Sequence, residues 1–184
     1  MLPAYAYTVL ALAWLAWILS FQMRKRTSRK PQQVNTRARW GIVLEMIAFF
    51  LIWRGRFWER TPEIWRFVLA ILFFVTALSL AWKAVAALGR HWRIEAALDA
   101  DHELVRSGPY AIVRHPIYTS MLCMLLGTGL MITPWPLFLA ALLIFVAGTE
   151  IRVRSEDGLL SARFGEEFAR YRQSVPAYIP GLRW

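Results

Sequence analysis

Residues 103–118, Glu-Leu-Val-Arg-Ser-Gly-Pro-Tyr-Ala-Ile-Val-Arg-His-Pro-Ile-Tyr, gather His, Arg and Tyr into one polar segment between two long apolar stretches. Gly108-Pro109 predicts a turn, and Pro116 keeps His115 extended before starting a helix with Tyr118 in its first turn. A helix N-terminus presents N–H groups without intrahelical partners. With Arg114 and His115 beside it, such an end suits the carboxylate or hydroxyl groups of a ligand. The plainer reading is that His115 caps the helix and Tyr118 sits among lipid headgroups. A second polar cluster runs from Arg152 through Glu156-Asp157 to Phe164-Gly165, Phe168, Tyr171 and Val175-Pro176. On a helix Arg152 and Glu156 stand at i and i+4, so they share one face and either pair or converge on a ligand. Arg152 is the natural group to orient a carboxylate through a bidentate pair, and His115 or Glu156 would take a proton from an amine. An exposed helix laced with ion pairs has the same spacing.

The elements that must position these residues are apolar helices. The 184 residues are 58% hydrophobic and 15% aromatic, with a mean hydropathy of +0.39, which suits one compact all-α membrane domain over 1–184 rather than a soluble one. Five spans are predicted, at 3–21, 40–53, 64–87, 118–132 and 137–150. The last two form a helical hairpin about Thr133-Pro134-Trp135-Pro136, where two prolines stop helix propagation. Positive charge follows the first span rather than preceding it, so that span reads as a retained anchor and not a cleaved signal peptide. The first loop, 22–39, carries seven Lys/Arg and no acid. The positive-inside rule therefore predicts an N-terminus outside and a cytoplasmic C-terminus, with both polar clusters on the cytoplasmic side. Trp14, Trp17, Trp40, Trp53, Trp58, Trp65 and Trp82 are read as interfacial anchors. The single cysteine, Cys123, excludes an intrachain disulfide, and the spacings of a metal site are absent. The net charge of +10 lies between apolar segments, without the aromatic-basic interleaving of a nucleic-acid module.

The Gly108-Pro109-Tyr110 … Arg114-His115-Pro116-x-Tyr118 segment resembles the signature of the isoprenylcysteine carboxyl methyltransferase and phospholipid methyltransferase families, integral membrane enzymes. The second cluster is similar to their Arg-x-x-x-Glu-Glu … Phe-Gly-x-x-Tyr … Tyr element, with Asp157 in place of the second Glu and Phe168 in place of the first Tyr. The resemblance covers roughly 85–182. It implies S-adenosyl-L-methionine as cofactor, bound by Tyr110, Arg114, His115, Pro116, Tyr118, Glu156 and Asp157. It also implies Arg152 and Glu156 as the catalytic pair, with Arg152 near a lipophilic methyl acceptor. The expected activity is carboxyl methylation of an isoprenylcysteine-like substrate, with a phospholipid or another small lipophilic acceptor as the alternative. No metal is expected. Membrane lipids are the remaining partner, and the oligomeric state is not legible from these residues.

Two rival classes stay open. Glu45 lies inside the second apolar run, where intramembrane carboxylates often mark proton-coupled transport; snorkelling to the interface or pairing with Arg39 would explain it as well. The sterol reductases resemble these methyltransferases in their C-terminal region and use a reduced nicotinamide cofactor.

Overall fold

The computed structural model describes residues 2–22, 33–34, 36–55, 61–89, 97–98 and 103–182. Most of the basic first loop, Trp58 and much of the third loop lie outside the described residues. Among the described residues six α-helices carry the fold: α1 Ala4–Gln22, α2 Ala38–Ile52, α3 Ile64–Leu88, α4 Pro116–Ile132, α5 Trp135–Phe164 and α6 Glu166–Ser174. Two-residue strands β1 (Gln33–Val34) and β2 (Ala97–Leu98) pair antiparallel, a detail with no counterpart in the apolar periodicity.

The helices bury small residues and turn large apolar ones outward. α3 buries Ala70, Phe74, Ala77, Ala81 and Ala84, a stripe at helical spacing, while Leu12, Phe50, Leu72 and Leu143 are more than half exposed. In water that arrangement would be unstable; in lipid the driving force is close packing of small faces, and the large side chains meet acyl chains. α2 lies along α5 and α3 along α4, with α1 against α3. The α3–α4 seam is tight enough that a Cβ on Gly127 would sit 2.7 Å from the Phe74 ring.

The chain is thus a multi-span helical membrane protein. α1, α3 and α5 are long and apolar enough to cross a membrane. The second and fourth expected spans coincide with the helices α2 and α4, which have 15 and 17 residues. They are about 22 and 26 Å long against a hydrocarbon core of about 30 Å. The helix that holds the expected span 137–150 continues beyond it: α5 runs unbroken for 30 residues to Phe164, about 45 Å. One rigid rod therefore carries both the membrane segment and the Arg152–Asp157 cluster. Neither proline nor a capping residue interrupts it until Gly165, whose φ of +50° closes α5 and opens α6 in a conformation other residues adopt only with strain.

Trp14 and Trp17 depart from the anchor reading. Their indole N–H groups donate inward, to Thr128 Oγ1 at 3.2 Å and Ser120 Oγ at 3.3 Å, fastening α1 to α4. Trp40 and Trp65 do face outward. At the opposite end, Arg66 Nη2 donates to the Thr133 carbonyl at 2.9 Å and its guanidinium lies 5.1 Å from the Trp135 ring centroid. A cation there suits the negative end of α4.

Candidate active site

The first motif folds as its prolines dictate. Gly108–Ala111 is a 3-10 turn, and Ile112 and Val113 donate to the Pro109 carbonyl at 3.1 Å each. His115 then caps α4 at φ −125° and ψ 65°, outside helical geometry because the Pro116 ring clashes with a helical predecessor. Pro116 itself is buried at the first helical position, where a missing N–H costs nothing.

Four main-chain N–H groups around this helix start have partners within the protein. Arg114 and His115 donate theirs to the Pro176 and Ala177 carbonyls, both at 2.8 Å, and Tyr118 and Thr119 donate to the His115 carbonyl. The segment after α6 thereby pairs with the first motif like a strap. Thr119 Oγ1 donates to the Tyr178 carbonyl at 2.7 Å, Tyr171 Oη to the Tyr110 carbonyl at 2.6 Å and Tyr178 Oη to Glu150 Oε1 at 3.1 Å. Val175-Pro176 and Tyr171 belong to the second motif, so the strap ties the two motifs together through the main chain.

Side chains complete the junction. His115 Nδ1 lies 3.2 Å from Glu156 Oε2 and Nε2 lies 2.9 Å from Asp157 Oδ1. Asp157 Oδ2 accepts from Arg114 Nη2 at 3.0 Å, with the exposed Arg172 at the rim, 3.9 Å away. Arg114 Nη1 also donates to the Val175 carbonyl at 2.5 Å. Tyr118 Oη donates to Glu156 Oε1, and the Arg152 guanidinium sits 4.6 Å from the Tyr118 ring centroid. Tyr110 is buried as well. Arg114, His115, Tyr118, Arg152, Glu156 and Asp157 are therefore in one cluster, and its most open acid is Glu156, with a side chain 27% exposed.

The electrostatics follow from that geometry. Burial works to lower the His115 pKa, but hydrogen bonds and charge from Asp157 and Glu156 outweigh it and raise it to about 9. With both ring nitrogens facing carboxylates, the imidazole carries a proton at neutral pH. Burial, reinforced by the Glu156 charge, pushes the Tyr110 phenol well above its ordinary value, so it stays neutral.

Sequence reasoning missed the partner of Arg152. Its guanidinium Nη1 donates to Glu45 Oε2 at 2.6 Å, and Thr149 Oγ1 donates to Glu45 Oε1 at 3.1 Å. Glu45 therefore turns inward to α5 rather than snorkelling or pairing with Arg39. The approach is possible because α2 and α5 touch at glycines: a Cβ on Gly41 would sit 2.5 Å from Arg152 Cγ and 2.5 Å from the Gly148 carbonyl. A lone acid in an apolar run was the available signal; its partner 107 positions away was not legible. The whole chain of groups runs Glu45, Arg152, Tyr118, Glu156, His115, Asp157, Arg114. Three carboxylates meet two guanidiniums and one imidazolium, so the cluster is neutral with His115 protonated. Among the described residues no group of acids, His and Cys is placed to hold a metal ion.

Comparison with known proteins places this arrangement. The phospholipid methyltransferase family model matches residues 65–167, more than half of the chain, covering the first motif and the second from Arg152 through Gly165. The cobalt-zinc-cadmium resistance protein CzcN of Cupriavidus metallidurans is 30% identical over 144 residues, 78% of this chain and 62% of that protein. The nickel-cobalt-cadmium resistance protein NccN of Alcaligenes xylosoxydans xylosoxydans is 31% identical over 144 residues, with 78% and 63% covered. The chain thus spans somewhat less than two thirds of these two relatives. The protein-S-isoprenylcysteine O-methyltransferase of Schizosaccharomyces pombe is 26% identical over 161 residues, 79% of this chain and 68% of that enzyme. The family match over more than half of the chain, which takes in the first motif and the Arg152–Gly165 part of the second, identifies this protein as a member of the phospholipid methyltransferase family.

Proposed function

We propose that the chain is an S-adenosyl-L-methionine-dependent methyltransferase that acts on the carboxylate of a lipophilic, isoprenylcysteine-like acceptor. The observation that carries this reading is the buried cluster formed by the two motifs, with Arg152, Glu156 and Asp157 in the C-terminal half of α5. The donor set fits the cofactor: Glu156 and Asp157 suit an ammonium group and ribose hydroxyls, while Arg114 and protonated His115 suit a carboxylate. Bound S-adenosylmethionine would supply a sulfonium methyl, which an acceptor carboxylate takes by in-line displacement to leave a neutral thioether and a neutral ester, with no proton to move.

The chain's own residues then have positioning tasks. His115, Glu156, Asp157, Arg114, Tyr110 and Tyr118 hold the cofactor end, Pro116 fixes His115 and Tyr118 in place, and Arg152 orients the acceptor carboxylate. Glu156 is the second catalytic residue because it joins both halves, touching His115 and Tyr118 one helical turn beyond Arg152. Holding both reactants in line and excluding water is worth up to about 7–11 kcal/mol of barrier. The apolar tail of the acceptor enters from lipid between helices, and the site faces the cytoplasm with the N-terminus outside. All of residues 1–184 act as one membrane domain in this reading. An amine acceptor on a phospholipid is the second reading, which the family match favours; there Glu156, with its partly exposed carboxylate, would take the proton.

Transfer of labelled methyl from S-adenosylmethionine to S-farnesyl-N-acetylcysteine and to phosphatidylethanolamine, each in phosphatidylcholine vesicles, separates the two. Base-labile label in the first supports carboxyl methylation. Stable label in the second alone moves the acceptor to an amine. Label in neither, from folded protein, defeats the proposal.

A further inference from the structure

Glu45 lies outside the residues matched by the family model, and the roles above give it no task. It is nevertheless among the most deeply buried charged groups described, 2% exposed. A buried ion pair stabilises little more than apolar side chains of the same volume, so stability alone is a weak reason for an acid there. The geometry offers a better one. Thr149 fixes one carboxylate oxygen at 3.1 Å and Arg152 takes the other at 2.6 Å. On the far side, the guanidinium lies over the Tyr118 ring at 4.6 Å. The stem of Arg152 runs across Gly41, where even a Cβ would collide with it. α2, α4 and α5 thus clamp one guanidinium, and only Glu45 contributes charge to the clamp from α2.

We propose that Glu45 is a positioning residue for methyl transfer: it holds Arg152 in the orientation that receives the acceptor carboxylate and serves as counter-ion to Arg152 whenever that carboxylate is absent. The inference rests on the proposed function. An acceptor carboxylate is anionic before transfer and becomes a neutral ester afterwards, so the charge facing the guanidinium changes at each turnover while its bond to Glu45 stays. The same carboxylate competes with the acceptor for the guanidinium. Removing its charge therefore relieves that competition while loosening the geometry, and a residue of purely structural importance would not separate those two effects.

The test compares wild type, Glu45→Gln and Glu45→Asp, each shown to be folded by size exclusion in detergent. Calorimetric binding of S-adenosylhomocysteine is measured beside steady-state methylation of S-farnesyl-N-acetylcysteine. The expected result is that Glu45→Gln lowers kcat by about tenfold or more, leaves the acceptor KM unchanged or lower, and leaves S-adenosylhomocysteine affinity unchanged. Glu45→Asp, which keeps the charge, recovers part of kcat. A folded Glu45→Gln variant with wild-type kcat, or one whose cofactor affinity falls together with kcat, overturns the inference and leaves the methyltransferase reading standing. A folded wild type that does not bind S-adenosylhomocysteine overturns that reading and this inference with it.

Discussion

Arg152→Met tests the buried pair on which the site is built. The substitution keeps an unbranched side chain of similar reach across Gly41 but removes the Nη1 bond of 2.6 Å to Glu45, leaving that carboxylate with Thr149 as its donor. Breaking a buried pair from one side costs about 3–5 kcal/mol, because the remaining charge is stranded in an apolar surrounding. At roughly 2–4 °C per kcal/mol for a chain of this size, Tm falls by about 6–20 °C. The double variant Glu45→Met/Arg152→Met removes both charges and recovers most of that loss. Intrinsic tryptophan fluorescence in detergent reports the melt, since the chain has ten Trp. A double variant as unstable as the sum of the two single variants would refute the coupling.

The protonated state of His115 predicts a pH dependence. Its pKa is raised from 6.5 to about 9, so its contribution to stability is fully present below about 6.5, declines above that and is lost as pH rises through about 9. Wild-type Tm should drop across that window more steeply than the Tm of His115→Gln; parallel profiles would place the proton elsewhere. Gly41→Ala, whose Cβ meets backbone oxygen and the Arg152 stem at 2.5 Å, should destabilise by about 1–3 kcal/mol through overpacking. Gly158→Ala, in the interior of α5 with nothing within 4 Å of its Cβ, should instead stabilise by about 0.5–1 kcal/mol. Thermal melts of the pair check both signs.

The helices were legible because long apolar runs and prolines are local signals. Pro116 and Pro134 set the start of α4 and the turn into α5, and both fall where the residues said they would. That one helix joins the expected last span to the Arg152–Asp157 cluster was not legible, because Glu150 and Arg152 mark a change of solvent, not a change of backbone, and nothing there breaks a helix. The candidate site was half legible. His115, Tyr118, Glu156 and Asp157 announced themselves by type and spacing, and the structure brings them together. The strap over 175–178 depends on main-chain bonds that any residue makes, so no side-chain pattern reveals its partners. Glu45 was conspicuous, but choosing between Arg39 and Arg152 required the crossing of α2 and α5 at Gly41 and Gly148. Trp14 and Trp17 illustrate the same limit, since an indole at an interface and an indole bonded to a neighbouring helix have identical sequence signatures.

The central claim is that the cluster around His115 is a cofactor site. Calorimetric titration of the detergent-purified protein with S-adenosylhomocysteine, beside His115→Ala and with a reduced nicotinamide cofactor as control, addresses it directly. The account predicts saturable binding of S-adenosylhomocysteine by the wild type, its loss in a folded His115→Ala variant, and no binding of the nicotinamide. Unchanged affinity in His115→Ala, or binding of the nicotinamide instead, would contradict it.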